Sequence, residues 1–390
     1  MLLPALSLAA GWFIVLGNIA LAPPLLAFVA ADLRMSGTEQ GAFLVALPLT
    51  SFLGNVLFGP FVDRIGRSRS LTLGAAGAML SLLGFLLVDD ATTAIALRGV
   101  TGLLMPLVGI SVLPCVTEYF PAGRRLALTG YVMASGSLAQ MVMAPLAITL
   151  ASHASWRWGF GVLAAVAGLA AAGALVSMPN RPRDARPASV RHHLRSLLPP
   201  KEREVRFSVI AFYLFVLGLF SVTALYPTWL LANLATTGDD GGEAAGVLFL
   251  VAGVAAVAAS SSLGAIPRRW QRHVLVASLL LPSAVALALP AVPGHYGAQV
   301  ALYTALVGLQ SVASPVLRAR INQLADEDDL STVNASLNAG YQLAAATATA
   351  VAAVLYGLAP SFWLNSAVAA AGFLAAATAV LHLLRRPTTS

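Results

Sequence analysis

Apolar runs long enough to cross a hydrocarbon layer as helices recur along the chain, separated by short polar breaks. They predict helices over 8–30, 40–62, 70–88, 97–117, 126–150, 158–178, 207–232, 244–266, 274–290, 298–317, 331–357 and 361–383. Backbone groups in lipid must be satisfied within the segment, so each run reads as a helix. Two divisions fall inside longer apolar stretches and rest on turn residues. Residues 274–317 are cut at Pro290, Pro293, Gly294 and His295, and the last stretch at Gly357 to Pro360.

Composition agrees with this pattern. Hydrophobic residues make up 58% of the chain and charged residues only 10%, against roughly a quarter charged in a water-soluble globule. Mean hydropathy is +0.82. The chain therefore reads as an all-α integral membrane protein with twelve transmembrane helices. No Lys or Arg precedes the first apolar run, so that run is expected to be a retained span rather than a cleaved signal. The single cysteine, Cys115, lies in an apolar run and reads as a packing residue.

Twelve spans put alternate loops on one side, and the basic residues test this independently. Of the 23 Lys and Arg, 20 fall in the loops or tails of one side, leaving only Arg34, Arg98 and Arg157. The positive-inside rule makes that side cytoplasmic, with both termini there and the protein in a bacterial-type inner membrane. The long polar stretch 179–206 reads as a cytoplasmic linker between an N-terminal bundle, 1–178, and a C-terminal bundle, 207–390. It has no aromatic residue among its Arg and His residues, which argues for a solvated tether and against nucleic-acid binding. An offset of 205 residues lays Gly59, Arg64 and Arg67 on Gly264, Arg269 and Arg272, a weak trace of a six-helix repeat.

The turn between the second and third runs, Gly59 to Arg69, carries Asp63, Arg64, Gly66, Arg67 and Arg69. It resembles the signature loop of the major facilitator superfamily. Arg98, Gly102, Glu118, Phe120, Pro121, Arg125 and Gly130 resemble that family's pattern along helix 4 and into helix 5, and Trp156, Arg157 and Phe160 its start of helix 6. The resemblance implies two six-helix pseudo-repeats with a substrate site between the halves. It also implies a role for Asp63 as a latch on the inner end of helix 11, where an acid faces a helix N-terminus favourably. Glu118 is expected near Arg64, Arg67 or Arg124, either in an ion pair or as a snorkelled end-cap. Arg98, placed at the outer start of helix 4, resembles an arginine linked to proton-coupled efflux. With Asp89 and Asp90 just before it, an interfacial pair stays equally open.

No catalytic or metal signature appears: there is no phosphate loop ending in Gly-Lys, no His-Glu-x-x-His and no Cys-x-x-Cys. No cofactor is expected. Acids are missing from most of the spans as drawn, and Asn18 occupies the middle of helix 1, where many drug–proton exchangers of the family have an acid. Ala144-Pro145-Leu146-Ala147 departs from the exchanger pattern of helix 5. What remains is uncharged polarity. Asn334, Asn338 and Gln342 recur every four residues and share a helix face, with Tyr341 beside them. Gln310 and Tyr303 mark helix 10, Tyr213, Tyr226 and Trp229 helix 7, and Gln140 helix 5. Such groups either line a cavity or form interhelical hydrogen bonds worth about 0.6–2 kcal/mol each.

Together these features point to a monomeric secondary transporter that moves a small neutral or weakly anionic organic solute by alternating access, with protons as a candidate coupling ion. Efflux is favoured because Ala335-Ser336-Leu337-Asn338-Ala339 resembles the sugar and drug exporter branch. Metabolite import, lipid or lysolipid flipping, and a non-transporting receptor or assembly factor are the alternatives.

Overall fold

The computed structural model describes residues 2–180, 202–234, 241–265, 267–324 and 330–384. Among them, twelve helical segments are long and apolar enough to cross a membrane. The chain divides into two compact units, Met1–Leu194 and Arg195–Ser390. The linker expected over 179–206 lies largely outside the described residues.

The first unit consists of α1 (Leu2–Asp32), α2 (Gly37–Ile65), α3 (Arg67–Gly84), α4 (Ala91–Tyr119), α5 (Ala122–His153) and α6 (Arg157–Ser177). α1 packs on α5 and α6, α4 on α2 and α3, and α3 also on α6. Small hydroxyl residues pin these contacts from within the apolar mass. Ser7 donates to the Ala170 carbonyl at 2.7 Å, Ser51 to Gly102 at 2.9 Å and Ser135 to Ala9 at 2.8 Å. In lipid, packing and such hydrogen bonds, rather than the hydrophobic effect, hold helices together.

The second unit consists of α7 (Arg203–Thr223), α8 (Tyr226–Leu234), α9 (Gly241–Ser261), α10 (Arg268–Ala288), α11 (Tyr296–Leu324), α12 (Leu330–Leu358) and α13 (Trp363–Leu384). The seventh span, expected as one helix, is broken into α7 and α8. Pro227 has no N–H to donate to the preceding turn, and the chain bends just before it. α7 packs on α12 and α13, α9 on α11, and α10 on α11 and α13. Asn365 of α13 donates to the Ala352 carbonyl of α12 at 2.9 Å. Trp158, Trp270 and Trp363 are exposed near helix starts, the positions where interfacial tryptophans anchor a bundle.

Both divisions made on turn residues coincide with helix ends. α10 closes in a single 3₁₀ turn, Leu289–Ala291, before α11 begins at Tyr296. Gln299 secures that turn: its Nε2 donates to the carbonyls of Leu289 at 2.8 Å and Val292 at 2.9 Å. Several helices start before or end after their apolar runs, so that Asp32, Glu39 and Glu243 fall within terminal turns.

Candidate functional site

The charged turn of the first unit is built around Gly66, whose φ of +93° is a conformation that L side chains rarely adopt. The segment leaving α6 folds onto this turn. Asn180 donates to the Ile65 carbonyl at 3.0 Å, and Ser68 donates to the Met178 carbonyl at 2.6 Å. Arg67 Nη1 lies 3.9 Å from Glu118 Oε2, linking the start of α3 to the last turn of α4. Arg64, Arg69 and Arg124 are exposed. The side chains of Asp63, Ser331 and Thr332 lie outside the described residues, and with them the expected latch.

At the opposite end of this unit, Asp32 accepts hydrogen bonds from Trp156 Nε1 at 2.9 Å and Arg157 Nη1 at 2.8 Å. Arg157 Nη2 donates to the Val88 carbonyl at 2.7 Å, and Asp89 lies 4.0 Å away. Asp90 caps α4 by accepting from the Thr93 hydroxyl and backbone N–H. These two bonds hold its carboxyl below the usual carboxylate range.

Those contacts revise the place of Arg98. α4 begins at Ala91, a turn and a half earlier than its apolar run suggested, because Asp90 caps it. Arg98 therefore lies about 10 Å inside the helix and is only 2% exposed. Asp89 and Asp90 are engaged elsewhere, so the interfacial pair does not form. Instead the guanidinium lies 5.4 Å from the Phe43 ring centroid and reaches the Asn18 carbonyl at 3.5 Å. Asn18 is fully buried and donates to Ile14 O at 3.0 Å. Arg98 Nε and Nη1 and Asn18 Oδ1 have no hydrogen-bond partner among the described residues.

The polar candidates of the second unit separate into two groups. Tyr226, Trp229 and Tyr303 belong to a packed aromatic cluster. Tyr226 stacks on Tyr303 at 4.2 Å, Trp229 stacks on Phe362 at 5.2 Å, and the Tyr226 hydroxyl donates to Gln299 Oε1 at 2.9 Å. All three are buried. Gln310 is buried too, and its Nε2 has no partner among the described residues. Gln140, in the first unit, is exposed.

The second group faces a cleft. The backbones of α11 and α12 scarcely approach one another, and α7 packs on both. Polar side chains bridge the gap at one-turn intervals. Asn334 donates to Asn322 Oδ1 at 3.2 Å, and Arg318 Nη1 donates to Asn338 Oδ1 at 3.3 Å. The same antiparallel register sets Ser314 opposite Gln342, whose Oε1 has no partner among the described residues. α7 supplies the floor: Arg318 lies 4.8 Å from the Phe212 ring centroid, and Tyr341 packs edge-on against Phe220 at 5.7 Å. The Tyr213 hydroxyl donates to the Ser336 carbonyl at 2.8 Å. Its ring fits only because Gly340 has no side chain, since a Cβ there would run into it.

Arg318 is the residue that sequence reasoning missed. The apolar run ends at 317 and leaves it among the loop arginines, whereas α11 continues to Leu324 and carries it within the helix. The available signal was spacing: Ser314, Arg318 and Asn322 recur every four residues, as Asn334, Asn338 and Gln342 do.

The model of the Major Facilitator Superfamily matches residues 8–309. The chain belongs to that superfamily: it is an integral membrane transporter, not an enzyme. No curated protein matches the sequence. Among solved structures, the xylose transporter XylE from E. coli in its inward-open conformation is similar over 98% of this chain and 95% of its own, with 14% identity and a TM-score of 0.72. Its partially occluded inward-open form is similar over 96% of each chain, with 14% identity and a TM-score of 0.71. A mutant of the nucleoside transporter NupG is similar over 99% of this chain and 100% of its own, with 11% identity and a TM-score of 0.76. At such identities the likeness concerns the fold.

Proposed function

We propose that the chain is a secondary active transporter that exports a small neutral or weakly anionic organic solute by alternating access. It acts as a monomer in a bacterial-type inner membrane, with both termini cytoplasmic. The observation that carries this reading is the face of Asn334, Asn338, Tyr341 and Gln342 on α12, which lines a cleft and has no carboxylate bonded to it among the described residues. A permanent cation carried through such a site lacks a counter-charge, at a cost of several kcal/mol. A neutral or acidic solute needs only hydrogen-bonding groups that release it cheaply, and amides one turn apart supply them.

The test is counterflow and net transport by the full chain in liposomes, using matched neutral, acidic and cationic solutes with and without a pH gradient. Saturable transport of a neutral or acidic solute, driven outward by an inward proton gradient, is the expected result. If only a permanent organic cation is transported, and Asn338→Ala and Gln342→Ala leave its rate unchanged, both the solute class and the cleft are wrong.

A further inference from the structure

We propose that Arg318 makes the cleft between α11 and α12 an anion subsite, binding the carboxylate, phosphate or sulfonate group of a small organic solute. This narrows the transport reading above and rests on it.

The direction in which Arg318 points is the first reason. Its backbone lies six residues before the end of α11, about 9 Å along the axis. A long basic side chain so near a helix end ordinarily turns towards water. Arg318 does not. Its guanidinium meets Phe212, nine residues into α7, and Asn338, eight residues into α12. The Asn322–Asn334 and Arg318–Asn338 bonds share one register, so the charge is held across the gap between α11 and α12, at the level of its own backbone, and does not extend past the helix end.

Its partners are the second reason. Arg67 and Arg157 each have a carboxylate within ion-pair distance, whereas Arg318 has none among the described residues. An aromatic face and one amide oxygen leave most of its five N–H donors unused. A half-buried cation in a spanning helix without a counter-charge is costly. An oxyanion meeting the planar fork in a bidentate pair would offset that cost with two charge-assisted bonds. One turn deeper, Gln342 presents an amide whose oxygen is unpartnered, and an amide flip exchanges that oxygen for a donor. α11 and α12 are joined here by side-chain bridges and not by close backbone packing, so an incoming group has to displace only side chains.

The experiment measures thermal stabilisation of the full chain in phosphatidylcholine nanodiscs, which contain no anionic lipid. The probes are matched pairs: glucuronate and glucose, benzoate and benzamide, glycerol phosphate and glycerol. At least one acid is expected to stabilise the protein where its neutral mate does not. R318Q should weaken that binding roughly tenfold or more, the scale of a lost hydrogen bond to a charged group. R318K should retain part of it, and R320Q, altering a basic residue on another face of α11, should retain all of it.

Acids that never stabilise the protein, or that stabilise R318Q equally, overturn the proposal. If neutral probes bind and undergo counterflow while acids do not, the anion subsite falls and the transport reading stands. If no probe binds or is carried, both fall. Phosphatidylglycerol is added in a separate arm. If it alone gives an Arg318-dependent stabilisation, the occupant is a lipid headgroup and the solute subsite is refuted. Should R318Q not fold, phenylglyoxal modification of Arg318 in the wild type replaces it. Protection by the stabilising acid supports the subsite, and unchanged modification refutes it.

Discussion

Arg157 Nη1 and Asp32 Oδ2 stand 2.8 Å apart and join the first turn of α6 to the last turn of α1. The same guanidinium bonds the Val88 carbonyl at the close of the third span. One side chain thus ties together three helix ends that are distant in sequence.

That clamp should contribute measurably but modestly, because both charged groups are partly exposed. Arg157→Gln is expected to cost about 1 kcal/mol, read as a lower melting temperature in nanodiscs. In a double-mutant cycle with Asp32→Asn the two changes should couple favourably. Strict additivity would show that the pair contributes nothing beyond its separate contacts.

Gly66→Ala should be more damaging. It forces a side chain into a left-handed conformation, at roughly 1–2 kcal/mol, and drives a Cβ into Asn180. Asn180→Ala should relieve the second part and leave the first. Equal melting temperatures for wild type and Gly66→Ala would mean that the turn adopts another geometry.

Gln299, itself fully buried, makes three hydrogen bonds, two to the α10–α11 turn and one from Tyr226. Gln299→Leu leaves those partners unsatisfied in an apolar setting, and a loss of about 2–4 kcal/mol is expected. Retained stability in thermal unfolding would point to water replacing the amide.

Arg98 gives the opposite expectation. Its charge is buried with no carboxylate partner among the described residues, so Arg98→Met should leave stability unchanged or raise it, as exchange of a poorly compensated buried charge for a hydrophobe often does. A fall in melting temperature of several degrees would reveal partners that the present contacts lack. If transport falls while stability rises, the arginine is kept for function.

Much of the fold was legible because lipid imposes one rule on every span: enough apolar residues in succession and all backbone groups paired within. The cuts near Pro290 and Gly357 follow from turn residues that cannot continue a helix. Helix ends were less legible. The cap at Asp90 starts α4 before its apolar run does, and α11 runs past its apolar run, which moved Arg98 and Arg318 from interface and loop into helices. The break before Pro227 was visible as a proline in an apolar run. The clamp of Asp32 with Trp156 and Arg157 joins residues more than a hundred positions apart, and nothing local marks such partners. Of the candidate cavity residues, Tyr226, Trp229 and Tyr303 look the same in sequence whether they line a cavity or pack on one another. Only their stacking partners distinguish the two.

Asn180 and Met178 are bonded to Ile65 and Ser68, so the chain leaving α6 is moored to the charged turn. Tension applied to the polypeptide beyond residue 180 would accordingly be shared between the turn at Gly66 and the shaft of α6. The turn that carries the most charge in the first unit is also its mechanical anchorage.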